Sequence, residues 1–376
     1  MKVVVAVDSF KGSMTSMEAG TAVKSGILAA HPDAEVIVRP LADGGEGTTD
    51  ALTEGLNGKR INLTVTGPMG EPVDAYYGYL EDTNTAVMEM ASAAGITISD
   101  HADPMKATTF GVGEMILHAI DNGIRNFIIG IGGSATNDGG CGAAAALGAV
   151  FRNAAGEAFV PVGATLAEVA EIDLSGLHPA LASAELVTMC DIDNPLCGPL
   201  GAAHVFAPQK GADPAMVELL DAGLAHLADV VERCTGRDIR QLHGAGAAGG
   251  MGGGMVAFFG STLQMGIETV LDTVGFDKLL EGADMVFSGE GKLDAQSLLG
   301  KVVIGVARRT KRAGVPLVAV VGDIGDNIEA AYDMGVSAVF SINRVAVPFR
   351  EAKPRSKSDL ALTMDNLMRF CRRMGW

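Results

Sequence analysis

The chain has 376 residues, 48% of them hydrophobic, and a formal charge of −17 at pH 7. This length exceeds the size at which a single hydrophobic core stops growing, so two domains are expected. The longest apolar runs fall short of the roughly 18 residues that cross a membrane, and the acidic balance argues against nucleic acid as a partner. The five cysteines are odd in number and lack CxxC spacing. We therefore expect a cytoplasmic protein with neither a disulfide framework nor a zinc site.

The first 60 residues alternate strand and helix. Val3 to Val7 is a continuous apolar run, typical of a strand buried on both faces of a parallel sheet. Thr15 and Glu18 fit a capping box, which predicts a helix that ends before Pro32. A second strand is predicted over 35–38. This order is typical of an α/β domain.

The middle of the chain has a different pattern. Short alternating segments separated by Gly, Pro and Asp-Thr-Asn predict antiparallel hairpins over 63–65, 75–79 and 85–88. Further along, we predict helices over 108–121 and 143–150, and strands over 127–131, 186–190 and 204–206.

The last hundred residues return to a βα rhythm, with predicted strands over 285–287, 317–321 and 338–342. Two α/β ends around a mixed middle predict two α/β domains: a discontinuous Rossmann/flavodoxin-like parallel-sheet domain with an inserted mixed-sheet α/β domain. We place the first at residues 1–65 plus 281–376 and the second at 66–280, with the active site in the cleft between them.

Polar residues and glycines follow nearly every predicted strand, at the edge where open α/β sheets bind ligands. Asp8, Ser9 and Lys11 follow the first strand, and Lys11 suits a phosphate or a substrate carboxylate as a point charge. Asp43 and Glu46 lie among three glycines before a helix, where carboxylates suit Mg²⁺ or the hydroxyls of a polyol. The alternative interpretation is a solvated turn for the first loop, and for the second a glycine-rich turn whose acids stabilise the start of the helix.

The strongest local signal is the glycine-rich run from Gly130 to Gly140, between a buried strand and a helical run. Successive glycine N–H groups, two hydroxyls and a helix N-terminus form an anion cradle, so we predict phosphate or carboxylate binding here. The candidate residues are Gly132, Gly133, Ser134, Thr136, Asn137 and Asp138.

Two further segments carry closely spaced acids. Asp191 and Asp193 follow a predicted strand and suit Mg²⁺ binding or general-base work, a division that the sequence leaves open. Glu290 and Asp294 follow another strand as candidate metal ligands. Candidate phosphate-binding lysines are Lys210, Lys292 and Lys301.

The segment Gly244 to Gly249 matches GxGxxG, but no convincing strand precedes it and no acidic residue ends a following strand. Gly246 and Gly249 are therefore predicted to contact nucleotide phosphates or to start a close-packed helix, rather than to bind NAD. The chain has no GxxxxGK[ST], so it is not a P-loop enzyme.

Taken together, these segments resemble the type I glycerate kinase family of bacteria, whose members include glycerate 2-kinases. The resemblance rests on seven motifs in the family's order, spread over nearly the whole chain: residues 8–11, 42–48, 132–140, 191–195, 208–212, 244–250 and 289–291.

The resemblance implies an enzyme that transfers a phosphoryl group from ATP to D-glycerate, usually at the 2-hydroxyl, giving 2-phosphoglycerate. We expect Mg²⁺ and ATP as cofactors and small-molecule partners only, and leave a homo-oligomer open. Asp8, Lys11 and Asp191 are the predicted catalytic residues, and Asp193, Glu290 and Asp294 the predicted metal ligands. A nicotinamide-dependent oxidoreductase of a small hydroxy acid and a non-catalytic sugar-acid or nucleotide sensor remain as alternatives.

Overall fold

A computed structural model describes residues 1–98 and 103–375. The strands are β1 Lys2–Val7, β2 Glu35–Val38, β3 Lys59–Thr66, β4 Pro72–Leu80, β5 Thr85–Glu89, β6 Asn126–Gly130, β7 Val150–Arg152, β8 Ala158–Phe159, β9 Glu171–Asp173, β10 Glu185–Met189, β11 Thr262–Gln264, β12 Met285–Gly289, β13 Lys292–Leu293, β14 Leu317–Val321, β15 Asp323–Ile324 and β16 Val336–Ser341.

The α-helices are α1 Ser16–Ala30, α2 Thr48–Gly55, α3 Ala91–Ala94, α4 Phe110–Asp121, α5 Cys141–Ala146, α6 Ala202–Phe206, α7 Pro214–Thr235, α8 Ala247–Phe259, α9 Gly266–Thr273, α10 Phe276–Leu280, α11 Val302–Ala313, α12 Ala330–Met334, α13 Phe349–Ala352 and α14 Ser356–Arg373. Among the described helices, none combines the length and apolar character that a bilayer crossing requires.

The chain divides into two compact units. The first comprises residues 1–43, 50–57 and 267–376, and the second comprises residues 44–49 and 58–266. The boundary predicted between residues 65 and 66 lies inside β3, and the one between 280 and 281 follows the last residue of α10. The domain assignment and the predicted cleft location of the active site stay predictions.

The first unit is built on a five-stranded parallel sheet in the order β2-β1-β12-β14-β16. When the five strands of this sheet are numbered in chain order, their spatial order is 2-1-3-4-5, which is the flavodoxin-like arrangement. Alternate residues of β1 pack on α1 and α14, and Val4 and Ala6 between them are buried as well. The sheet thus explains the continuous apolar runs of its central strands, and the predicted Rossmann/flavodoxin-like fold is confirmed.

Helix α1 begins where the sequence predicts. The Thr15 hydroxyl accepts a hydrogen bond from the Glu18 N–H, and the Glu18 carboxylate accepts one from the Thr15 N–H. This reciprocal capping satisfies two N–H groups that a helix start otherwise leaves unpaired. The helix ends at Ala30, before Pro32.

The second unit contains a six-stranded mixed sheet in the order β11-β10-β6-β5-β4-β3. Strands β3, β4 and β5 form the predicted antiparallel hairpins, whereas β5, β6, β10 and β11 run parallel. A small antiparallel sheet, β8-β7-β9, accompanies it. The predicted strand over 127–131 is β6 of this unit.

Two predicted elements differ from the structure. Residues 204–206 lie in the short helix α6, not in a strand, because the preceding Ala202 and Ala203 are fully buried against neighbouring helices and their packing overrides the β propensity of Val205 and Phe206. The helix predicted over 143–150 ends earlier, at Ala146. Gly148 takes a positive φ of 105° after it, and Val150 begins β7.

Candidate active site

Three carboxylates lie near one another in the first unit, at the carboxyl ends of neighbouring strands. Asp8 follows β1, Asp43 lies beyond β2, and Glu290 follows β12. Strands β1 and β12 are adjacent in the sheet, and they flank the point where the strand order reverses. Ligands of open α/β sheets bind at this topological switch point.

Burial and the charges of neighbouring acids raise the pKa of two of these carboxyl groups. Burial, and then the charge of Asp43, raises the pKa of Asp8 from 3.8 to about 7. Burial also raises the pKa of Glu290 to about 7, against the lowering effect of a hydrogen bond with Ser297, and Asp8 contributes to the rise. Perturbed carboxyls gathered at a sheet edge are typical of functional sites.

Two lysines supply positive charge to this cluster. Lys11 is exposed and lies close enough to Asp8 to lower its pKa, and Lys301 acts on Glu290 in the same way. Ser9 is half-buried, and its N–H donates to Asp8 Oδ1 at 2.6 Å. The first unit thus brings together the predicted residues Asp8, Ser9, Lys11, Asp43 and Glu290.

The second unit holds the glycine-rich loop between β6 and α5. Asp138 is fully buried and its carboxylate accepts hydrogen bonds from Thr109 N–H and Oγ1–H and from the N–H groups of Gly140 and Gly142. Burial raises the pKa of Asp138, although these donors oppose the shift. Asp138 therefore acts as an internal brace that fixes the loop.

Lys210 is a second brace for the same loop. Its ammonium is buried and donates to Ser134 Oγ at 2.8 Å and to the Thr136 carbonyl at 2.6 Å. Burial lowers the pKa of Lys210 to about 7, and the charge of Asp138 opposes that shift. The predicted anion-binding lysine is thus also a buried support of the loop backbone.

The part of the loop that a ligand can reach is its beginning. Gly132 and Gly133 are exposed, whereas residues 134–140 are buried. Asn137 is completely buried, and neither its Oδ1 nor its Nδ2 has a hydrogen-bond partner among the described residues; the same holds for Thr136 Oγ1. Unpaired buried polar groups are rare and mark places where strain or function sets the structure.

The GxGxxG segment packs against this loop. The Gly139 N–H donates to the Gly249 carbonyl at 3.0 Å, and a Cβ on Gly249 would lie 2.0 Å from the Thr136 carbonyl oxygen. A Cβ on Gly246 would lie 2.2 Å from the Pro195 carbonyl oxygen. Close backbone packing therefore accounts for both glycines, in agreement with the close-packed helix start at α8.

Three of the four remaining predicted acids are exposed. Asp191 is exposed, and its Oδ1 accepts a hydrogen bond of 2.7 Å from the Gly266 N–H at the start of α9. Asp193 is 94% exposed, and its Oδ1 lies 3.8 Å from Nδ1 of His243. Asp294 Oδ1 accepts from the Gln296 N–H, and Glu46 is exposed in the loop before α2.

The comparisons with known proteins decide the family. The sequence profile of the glycerate kinase family matches residues 3–372. The chain belongs to the glycerate kinase family. As a kinase of this family it is an enzyme that uses ATP and small-molecule substrates.

Relatives of this glycerate kinase family member align over nearly their whole length. It is 44% identical over 354 residues to the glycerate kinase of Bacillus subtilis (strain 168), covering 94% of this chain and 93% of that protein. It is 42% identical over 344 residues to the glycerate 2-kinase of Escherichia coli (strain K12), covering 91% and 90%. A Salmonella typhimurium LT2 protein assigned as glycerate kinase 2 has a crystal structure that matches with a TM-score of 0.92 and 41% identity, covering 100% and 99%.

Two residues that support the loops of the candidate site are not predicted from the sequence. Glu89 accepts hydrogen bonds from the Gly47 and Thr49 N–H groups at the start of α2, at 3.3 and 2.8 Å. The Thr109 hydroxyl accepts from the Ala143 N–H and donates to Asp138. Glu89 is the last residue of β5, so a carboxylate at the end of an apolar run could have identified it from the sequence. No sequence feature marks Thr109.

The carboxylate cluster fits a divalent cation in its chemistry. Glu290 Oε1 is buried and has no hydrogen-bond partner in the described part of the chain. Within the same described residues, no three His, Cys, Asp or Glu side chains form a preassembled metal site. Kinases commonly hold Mg²⁺ with one or two carboxylates and the substrate phosphates, so this donor set matches their pattern.

Proposed function

We propose that the protein transfers the γ-phosphoryl group of ATP to the 2-hydroxyl of D-glycerate, giving 2-phosphoglycerate. The observation that carries this proposal is the 42% identity with the Escherichia coli glycerate 2-kinase over nine-tenths of both chains. The buried acids at the sheet switch point and the braced glycine loop support it, since phosphoryl transfer depends chiefly on positioning and on neutralising charge.

In this proposal Glu290 and Asp8 would hold Mg²⁺, whose positive charge would neutralise that of the phosphate oxygens. Lys11 binds a phosphate as a point charge. The exposed Gly132 and Gly133 receive an anionic group of a substrate. Asp191 accepts the proton of the reacting hydroxyl, because its carboxylate is exposed and is fixed in orientation by the Gly266 N–H.

We also propose a cytoplasmic location, because all five cysteines are free in the structure.

The family match disfavours both the oxidoreductase and the sensor, and the packing of Gly249 removes the main support for a nicotinamide site.

The test is a coupled assay of purified protein with Mg-ATP and D-glycerate, in which the product is offered to enolase without a mutase. We expect ADP release together with enolase activity, because enolase accepts the 2-phosphate. ADP release without enolase activity would contradict the 2-hydroxyl and indicate the 3-hydroxyl. Absence of ADP release would overturn glycerate as the substrate.

A further inference from the structure

A cavity of about 320 Å³ lies in the first unit, at the carboxyl ends of its sheet. Residues that follow four different strands line it: Phe10 and Lys11 after β1, Gly291 after β12, Gly322 after β14 and Asn343 after β16. The residues assigned a role above include only Lys11 from this lining. Its volume is in the range of small-molecule sites, and this sheet edge is where doubly wound folds bind ligands.

We propose that this cavity binds the adenosine part of ATP. The inference rests on the proposed kinase function and adds the location of the nucleoside, which neither the family match nor the motifs provide.

The walls have the chemistry that a purine base requires. Phe10, Ile342, Val347 and Phe349 supply apolar surface. The ring of Phe349 is 62% exposed, although it is large and apolar, and it stands beside Gly12, where an added Cβ would lie 3.9 Å from its Cζ. An exposed aromatic face at a cavity is suited to stacking on a base.

Polar groups are present in the same walls. Ser13 Oγ is buried and has no hydrogen-bond partner among the residues described, so it is available to a ligand. Asp323 and Asn343 add a carboxylate and an amide, groups that pair with ribose hydroxyls and base edges. Asn343 is held in place because its Nδ2 donates to the Gly322 carbonyl at 2.7 Å.

The backbone connects the cavity directly to the carboxylate cluster. Lys11 lines the cavity three residues after Asp8, and Gly291 lines it next to Glu290. Two hydrogen bonds connect the loop after β12 to the end of the neighbouring strand β14. The Gly322 N–H donates to the Glu290 carbonyl, and the Asp323 N–H donates to the Gly291 carbonyl. A ligand with a planar apolar end in the cavity and an anionic tail therefore meets Lys11 and then the proposed metal site, which is the order of groups in ATP.

The test measures ADP binding by calorimetry in the presence of Mg²⁺, with Phe349→Ala as the variant. We expect the Kd of ADP to rise at least about tenfold, because a base–aromatic stack is lost. Inorganic tripolyphosphate, which has no base, should bind the variant and the wild type equally. The matched control is Phe370→Ala, since Phe370 is 65% exposed on α14 and does not line the cavity.

Photolabelling of the wild-type protein with 8-azido-ADP gives a readout that does not depend on the folding of a variant. We expect the label on peptides containing residues 10–13 or 342–352. Labelling elsewhere, unchanged ADP affinity in Phe349→Ala, or a rise in the KM of glycerate instead of that of ATP would each overturn the inference. Loss of ADP binding in Phe349→Ala, in a protein that does not phosphorylate glycerate, would leave the cavity assignment standing and refute the proposed function.

Discussion

At the scale of single residues, the first unit keeps Asp8 and Glu290 under conditions that oppose their ionisation. Both are buried, and burial is the main cause of the raised pKa of each. The charge of Asp43 raises the pKa of Asp8 further, and the charges of Asp8 and Asp43 raise that of Glu290. An ionised pair of this kind destabilises the fold in the absence of a cation. Such stored destabilisation is common where a site is built for a ligand.

We predict that Asp8→Asn stabilises the metal-free protein while reducing its activity. The folded pKa of about 7 lies above the ordinary 3.8, so the wild type loses stability relative to the variant as the pH rises from about 4 to about 7. Above pH 7 the advantage is constant, at about 4 kcal/mol. Denaturant unfolding in EDTA at pH 5 and pH 8 measures it, and kcat should fall about 100-fold.

The matched control for this substitution is Asp33→Asn, which changes an exposed acid in the turn between α1 and β2. It should alter neither stability nor kcat appreciably. Equal stability of Asp8→Asn and wild type at pH 8 would show that the Asp8 carboxylate is well solvated in solution.

Asp191 and Asp193 offer a second matched pair, because they are two residues apart and both exposed. We predict that Asp191→Asn lowers kcat by about 100-fold, since it removes a proton acceptor while its amide oxygen still accepts from the Gly266 N–H. Asp193→Asn should stay within about threefold of the wild type. Steady-state kinetics at saturating ATP and glycerate measures both values of kcat. Similar effects of the two substitutions would show that Asp191 is not the proton acceptor.

At the scale of elements, the second unit depends on two glycine-rich segments that approach through their backbones. Residues Ala248, Gly249 and Gly250 all have positive φ, which interrupts α8 near its start. This interruption lets the segment lie against the loop after β6, whose Gly139 N–H bonds to the Gly249 carbonyl. The geometry of the candidate anion-binding loop is therefore set by a partner more than one hundred residues away in the chain.

We predict that Gly249→Ala destabilises the protein by about 3 kcal/mol or more and raises the KM of a substrate. The new Cβ would lie 2.0 Å from the Thr136 carbonyl oxygen, which adds a steric cost to the cost of a positive φ of 67°. Urea unfolding and steady-state kinetics measure the two effects.

Gly260→Ala separates the steric cost from the conformational one. Gly260 has nearly the same φ, 66°, at the end of α8, but the nearest neighbour of an added Cβ would be the flexible Arg237 side chain at 3.9 Å. It should lose only about 1 kcal/mol. Equal losses for the two substitutions would mean that the two glycine segments do not pack closely in solution.

At the scale of the whole molecule, the formal charge of −17 opposes the approach of anionic ATP and glycerate. We predict that kcat/KM for glycerate rises two- to threefold when KCl is increased from about 20 to about 150 mM, because salt screens long-range repulsion. Sucrose at matched osmolarity should have no such effect. A fall in kcat/KM with salt would show that the local field of lysines such as Lys11 outweighs the net charge.

The sequence by itself determined the family, the fold class and most elements, because those depend on local patterns. Apolar runs located the strands of the parallel sheet, and Thr15 with Glu18 located the start of α1. The carboxylates after β1 and β12 were also visible, because polar residues directly follow apolar strands.

Only the tertiary structure decided which of these residues are buried and which strand ends are neighbours. It buries Lys210 as a support of the glycine loop and leaves Asp193 almost fully exposed. It also places Asp8 and Glu290 directly after adjacent strands, although they are 282 positions apart in the chain. Burial and strand order arise from contacts between distant segments, so no local pattern records them. The pKa values of these groups follow from that burial, which is why the sequence identified the side chains but not their protonation states.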